Sequence, residues 1–194
     1  QVPGGELPKG KWEEMGFFQG LKEFAPGRVS KRFTVDYRKD VDWLVPDNFT
    51  PQAGTVGQMA FELAQAFENI SAQAPLVTLT NEQGLPLAIY SPTKLKTRHF
   101  DQEQTISETS NAFSTWHSRF FTPYDRGDLL LPPANSDWSQ YLQGVKFFTH
   151  EEMNPIELYR YTTGSEAQIK FTKSKEPAHI RFEWQHEQTP VAIG

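Results

Sequence analysis

The chain has 194 residues, of which 37% are hydrophobic and 22% charged, and its net charge at pH 7 is −5. This composition is typical of one globular domain and excludes a disordered or collagen-like chain. The absence of cysteine excludes disulfides and thiolate metal sites, and no apolar run reaches the roughly 18 residues of a membrane-spanning helix.

Residues 1–10 contain two prolines and three glycines, a composition that prevents a helix or a central strand. We therefore expect an extended arm over residues 1–10, either free or ordered only against a partner. A single β-rich domain over residues 11–194 is expected to follow it. Because the chain begins at Gln1 and not at Met, we expect a proteolytically matured protein or a part of a longer one.

Apolar residues at helical spacing predict four helical segments. These are residues 12–24, 55–70, 103–120 and 138–142. The pattern is strongest over 55–70, where Leu63 and Phe67 belong to one apolar stripe and Asn69 is expected to end the helix. Gly54 and Gly57 stand at its predicted start. Ser136 is expected to cap the segment 138–142.

Alternation of apolar and polar residues predicts a series of strands. They cover residues 29–37, 41–45, 76–80, 85–90, 93–99, 156–161, 167–173 and 178–184. The turn sequence 81–84 predicts a hairpin between the third and fourth of these. The last three are expected to form an antiparallel meander, with Gly164 in a left-handed turn at residues 162–165.

Many short strands, proline-rich connections and inserted helices together favour a mainly β fold. The specific expectation is an antiparallel β-sandwich resembling a jelly roll, because such sandwiches carry long loops and occasional helices between strands. The alternative is an α+β fold in which helices pack on one antiparallel sheet.

Metal and catalytic sites find little support in the sequence. His179, Glu183 and His186 have the residue types of a divalent-metal site, but Arg181 lies between them and would repel the ion. Two groups of carboxylates are more simply explained by turn chemistry than by hydrolysis. They are Asp36, Asp40 and Asp42, and Asp125 with Asp128. No nucleophile elbow, phosphate loop or dinucleotide fingerprint occurs, so we assign no catalytic residue, metal or cofactor.

Three sets of residues are candidates for binding. Lys94, Lys96 and Arg98 alternate, so one strand face would be cationic and could contact nucleic acid or an acidic surface. The simpler interpretation is that lysines protect an edge strand from aggregation. The tripeptide Arg126-Gly127-Asp128 matches an integrin-binding sequence, although turn chemistry also explains it.

The third set is aromatic and lies in and beside the irregular stretch 122–137. It consists of Tyr124, Trp138 and Tyr141. Aromatic side chains without a regular element to bury them are typical of an interface or of a platform for a ligand.

These observations favour a non-catalytic structural subunit that assembles with other protein chains, most specifically a viral capsid protein. Its location would then be the virion or the host cytoplasm. A lectin-like binding module and a metal- or carboxylate-dependent hydrolase stay open as alternatives, because fold class alone does not decide function.

Overall fold

The computed structural model describes residues 14–32, 40–74, 78–81, 83–101, 106–121, 130–146 and 156–194. For residues 40, 41 and 98–101 it describes the backbone but not the side chains. Residues 1–10, the predicted arm, lie outside this part of the chain. Within it, no helix is long and apolar enough to cross a bilayer.

The protein is mainly β with few helices, which confirms the predicted fold class. Two short α-helices are present among the described residues, α1 (Phe17–Glu23) and α2 (Leu63–Ala66), with a 3-10 turn at Asp137–Gln140. The strands are β1 (Val29–Ser30), β2 (Asp40–Trp43), β3 (Val56–Glu62), β4 (Phe67–Gln73), β5 (Leu79–Thr80), β6 (Pro86–Leu95), β7 (Arg98–Asp101), β8 (Asn111–Phe121), β9 (Glu157–Ile169), β10 (Ala178–His186) and β11 (Thr189–Ile193).

The described strands form two sheets. The smaller is antiparallel, with the order β1-β2-β7. The larger has the order β3-β10-β9-β11-β6-β4, with β8 paired to β9 and β5 paired to β6. It is mixed, because β3 runs parallel to β10 and β6 runs parallel to β11, whereas its other pairings are antiparallel.

The large sheet forks at Gly164. Strand β9 pairs with β10 as far as the partners Gly164 and Glu183, and beyond this point Thr162 of β9 pairs with Ile193 of β11. Gly164 has φ 156°, and a Cβ built there would lie 1.9 Å from the carbonyl oxygen of Phe182. Only glycine permits so close an approach of two backbones.

The prediction of a turn at residues 162–165 is therefore wrong. The prediction that Gly164 adopts a left-handed turn conformation is also wrong, because Gly164 lies inside β9. Residues 157–161 of the predicted strand 156–161 and residues 167–169 of the predicted strand 167–173 belong to one continuous strand, β9, and residues 170–173 lie beyond its end. The hairpin between its second half and the predicted strand 178–184 is confirmed by the antiparallel pairing of β9 and β10.

The main core lies between the two sheets. Val29 and Trp43 of the small sheet pack in one buried cluster with Ile169, Ile180 and Phe182 of the large sheet. A second cluster places Leu21 of α1 over Trp184 and Phe61, whose rings stack at 5.1 Å. A third, smaller cluster lies around Ile89, Tyr161 and Ala192.

The helix predicted over residues 55–70 is wrong, since the chain forms β3, a single turn of helix and β4. Leu63 and Phe67 are buried as the stripe requires, but Val56, from the same stripe, is 80% exposed, and Phe61, outside it, is fully buried. Parallel pairing with β10 decides the conformation, because it satisfies the backbone of β3 and buries Phe61. Gly54 thus lies in a turn before a strand, and Asn69 lies within β4, not at a helix end.

The helix predicted over residues 103–120 is also wrong. Its described part forms the bridge between Ile106 and Phe171 and then β8, which pairs with β9 along its whole length. Aromatic and β-branched residues such as Phe113, Thr115 and Trp116 are common in strands, and pairing with β9 outweighs the helical spacing of the apolar residues.

Other predictions hold in part. The predicted helix 12–24 appears as α1, and the hairpin around 81–84 appears as the antiparallel pair β5–β6. The predicted strand 29–37 is described only to residue 32, with β1 at its start. The segment after Ser136 forms a 3-10 turn, but the Ser136 side chain makes no capping hydrogen bond.

Candidate functional site

Exposed large apolar side chains group on two segments of the described chain, and Val56, Leu85 and Phe113 are exposed singly elsewhere. One segment is the outer half of the β8–β9 ribbon, where Phe120 is 75% exposed and Leu158 is 56% exposed. The other is the loop 130–146, where Trp138 and Tyr141 are mostly exposed. Exposed apolar patches of this kind are typical of interaction surfaces.

The exposed side of the ribbon is built by the register of its two strands. Trp116 is opposite Thr162, Ser118 is opposite Arg160, and Phe120 is opposite Leu158. Because alternate residues of a strand point to the same side, these three pairs form successive rungs on one face. We call Phe18, Trp116, Phe120, Leu158 and Arg160 the ribbon face.

Helix α1 covers only the inner end of this face. The Ser114 hydroxyl donates a 2.9 Å hydrogen bond to the carbonyl oxygen of Leu21, the buried residue of α1. Phe18 of the same helix contacts the Trp116 ring edge-on at 5.4 Å between ring centroids. The rung of Phe120 and Leu158 lies beyond α1, which explains its exposure.

Arg160 lies between the covered and uncovered ends of the ribbon face. Its guanidinium carbon is 5.2 Å from the centroid of the Phe18 ring and 5.0 Å from that of the Trp116 ring. At an exposed site each such cation–π contact contributes about 0.5–1 kcal/mol, which favours this position of the guanidinium. No carboxylate pairs with Arg160 among the described residues, so its N–H donors are available to a carboxylate or phosphate.

The opposite face of the ribbon is more polar, and its side chains bond to one another. The His117 ring stacks on Tyr161 at 5.3 Å, and His117 Nε2 is 3.2 Å from the Thr163 hydroxyl. Tyr159 donates a 2.7 Å hydrogen bond to Glu157. The unsatisfied cation and the exposed apolar rung therefore lie together on the ribbon face.

The loop 130–146 is closed at its base by two hydrogen bonds of 2.9 Å between the backbones of Leu130 and Val145. Trp138 and Tyr141, predicted as parts of an aromatic platform, are 66% and 77% exposed. No contact between these two rings is found in the described residues. The other predicted residues of this region, Tyr124, Arg126, Gly127 and Asp128, lie outside the described residues.

The three residues of the predicted cationic strand face do not lie on one strand. Strand β6 ends at Leu95 and β7 begins at Arg98, so Lys94, Lys96 and Arg98 do not alternate along one strand. Lys94 Nζ and Lys96 Nζ lie 3.8 and 3.4 Å from the two carboxylate oxygens of Glu68, which partly neutralises them. For Arg98 only the backbone is described.

Residues considered for metal binding or acid–base chemistry do not converge in the described part of the chain. No group of three histidines or carboxylates is placed there to hold a metal ion. Glu183 lies 3.3 Å from the Arg181 guanidinium, and the His186 ring packs against Tyr90 at 4.8 Å. The side chains of Asp36, Asp40, Asp125 and Asp128 lie outside the described residues.

No protein-family model matches this chain, and neither does a curated protein or a solved structure. The chemistry of the protein's own surface is therefore the guide to its function.

Proposed function

We propose that the chain is a non-catalytic assembly subunit that binds other protein chains through exposed apolar surfaces. The observation that carries this proposal is the ribbon face, where Phe120 and Leu158 are held on regular strands and stay mostly exposed. Burying one large apolar side chain contributes about 1.5–3 kcal/mol of favourable free energy. A partner that covers this rung would therefore stabilise the complex by burial that the isolated chain lacks.

The loop 130–146 supports the same function as a second surface. Leu130, Leu131, Trp138 and Tyr141 are each more than half exposed. Tryptophan and tyrosine are common anchors of protein interfaces. A subunit with apolar surfaces on two different segments can contact more than one neighbour, as the members of a closed shell or ring do.

A capsid protein of a virion is the specific form of this proposal that the sequence favours. It is supported by the mainly β fold and by the proline- and glycine-rich residues 1–10, which we expect to contact a neighbouring subunit. A lectin-like module is the alternative, favoured by the exposure of Trp138 and Tyr141, because such rings stack on sugars.

Sedimentation velocity over a concentration series tests the assembly function. We expect the full chain to associate as its concentration rises, and the double variant Phe120→Asp/Leu158→Asp to associate more weakly because charge prevents burial of the rung. The control is Gln73→Asp, an exposed position at the end of β4, which should associate like the unchanged chain. Deletion of residues 1–10 should weaken association and leave the circular dichroism spectrum unchanged.

A chain that stays monomeric at every concentration, alone and with candidate partner proteins, would contradict the assembly function. The lectin-like alternative then predicts glycan binding that Trp138→Ala and Tyr141→Ala abolish. A glycan array probed with the unchanged chain and the two variants measures this directly.

A further inference from the structure

We infer that the ribbon face binds an extended segment of a partner protein in which an acidic residue is flanked, at alternate positions, by two apolar residues. This inference rests on the proposed function and specifies the chemistry of the partner. It follows from the order of side chains on the face, from their spacing and from their charge.

By strand register the order along the ribbon face is apolar, cationic, apolar, and the Arg160 guanidinium reaches from the second rung back to the rings of the first. Phe18 and Trp116 form the first position, Arg160 the second, and Phe120 with Leu158 the third. Successive rungs on one side of a strand are about 7 Å apart, because each residue advances the strand by about 3.4 Å.

An extended peptide has the same period. Its alternate side chains also point to one side and are separated by about 7 Å. A segment that lies along the ribbon can therefore place an apolar side chain beside Phe18 and Trp116, a carboxylate at Arg160, and a second apolar side chain between Phe120 and Leu158. The pattern that fits is apolar-x-acidic-x-apolar.

Charge complementarity selects an acidic central residue. Arg160 is the charged member of the ribbon face, and it has no carboxylate partner in the described part of the chain. The rings of Phe18 and Trp116 favour one position of the Arg160 guanidinium. Binding of a carboxylate there therefore costs less conformational entropy for ordering the N–H donors. The rest of the protein carries a net negative charge, which would repel an acidic segment elsewhere and direct it to this face.

Two other occupants fit less well. A second ribbon face stacked on the first with aligned rungs would bring the two copies of Arg160 together, and like charges across an interface are unfavourable. Single-stranded nucleic acid could stack bases on Trp116 and Phe120, but it needs a row of cations along its backbone, and the described ribbon face offers Arg160 alone.

Fluorescence polarisation with a labelled, end-blocked peptide of central sequence Leu-Ser-Glu-Ser-Phe tests the inference. The full chain should bind it about tenfold or more tightly than the same peptide with Gln in place of Glu, as expected for a charge-assisted hydrogen bond. Arg160→Gln should remove this preference, and Arg160→Lys should restore part of it. Arg119→Gln is the matched control, an exposed arginine of β8 next to the rung of Ser118 but on the opposite face, and it should keep the full preference.

Phe120→Ala should weaken binding of both peptides, whereas Phe113→Ala, on the other side of β8, should not. Unchanged melting temperatures of the variants would show that these effects are not due to unfolding. Equal affinity for the Glu and Gln peptides, or a preference that survives Arg160→Gln, would overturn the inference. If oligo(U) binds in an Arg160-dependent manner and the peptide does not bind, the inference is overturned and the ribbon face binds nucleic acid instead.

The same samples separate this inference from the proposed function. Self-association without peptide binding would overturn the peptide inference and leave the assembly function in place. Failure of both association and peptide binding would contradict both.

Discussion

One face of the β8–β9 ribbon is buried in the inner half and exposed at the outer end. In the inner half, Ser165 and Ile169 are fully buried, whereas in the outer half Phe120 and Leu158 are 75% and 56% exposed. Both halves are antiparallel, and in both the side chains alternate between two faces. The difference lies in what covers them.

The inner half is covered on its apolar face by the small sheet and by the segment around α1. The Ser165 hydroxyl donates a 2.8 Å hydrogen bond to the carbonyl oxygen of Pro26, and Ile169 packs in the cluster that contains Val29 and Trp43. No comparable layer covers the rung of Phe120 and Leu158 in the described part of the chain, whereas Tyr161 and Thr162 nearer the fork are buried. Alternation thus decides which side chains share a face, and the second layer decides whether that face is buried.

The largest effect is expected at Gly164, where the ribbon's two environments meet. In Gly164→Ala the new Cβ would lie 1.9 Å from the Phe182 carbonyl oxygen, so β9 and β10 must separate. We expect a loss of more than about 4 kcal/mol in the free energy of unfolding, measured by urea denaturation. Gly57→Ala on β3 is the control, because nothing lies within 4 Å of its Cβ. Equal stability of the two variants would disprove the close approach at the fork.

A second test compares two apolar residues on the same strand. Ile169→Ala in the buried half of β9 should lower the free energy of unfolding by about 2–5 kcal/mol, because it leaves a cavity. Leu158→Ala in the exposed half should change it by no more than about 0.5 kcal/mol. Chemical denaturation of both variants measures the contrast, and similar losses would mean that the outer half is covered after all.

The smallest effect is expected for two serines of the ribbon. Ser165→Ala removes the buried hydrogen bond to Pro26 and should cost about 1–3 kcal/mol. Ser118→Ala, at an exposed position on β8, should be neutral within about 0.5 kcal/mol. Thermal melts can rank this pair, and a neutral Ser165→Ala would show that the segment after α1 is not held by this bond.

Much of the strand content could be predicted from the sequence, because local alternation persists in the structure. The alternation over residues 178–184 correctly predicts that Ile180, Phe182 and Trp184 share a buried face. The hairpin around residues 81–84 was predictable from its turn sequence. The exposure of Trp138 and Tyr141 agrees with a segment that has no regular element to bury its rings.

The ribbon face could not be predicted in the same way. Phe18, Trp116 and Arg160 come from three distant parts of the chain, and they meet only because β8 pairs with β9 beneath α1. The helical spacing of Ile106, Phe113 and Phe120 predicted a helix over residues 103–120 and so gave no indication that this segment pairs with β9. The aromatic and β-branched residues at 113–116 were the available signal for a strand.

The sequence by itself determined the mainly β class, the polar and apolar sides of β10 and several short elements, because these depend on neighbouring residues. The tertiary structure alone decided that residues 56–62 form a strand, that Gly164 lies at a fork, and that one face of the ribbon is buried in its inner half and exposed at the rung of Phe120 and Leu158. Those outcomes depend on partners far away in the chain, such as β10 for β3, and on which faces a second layer reaches. Local propensities amount to only about 1 kcal/mol per residue, so long-range pairing and burial of aromatic side chains overrule them.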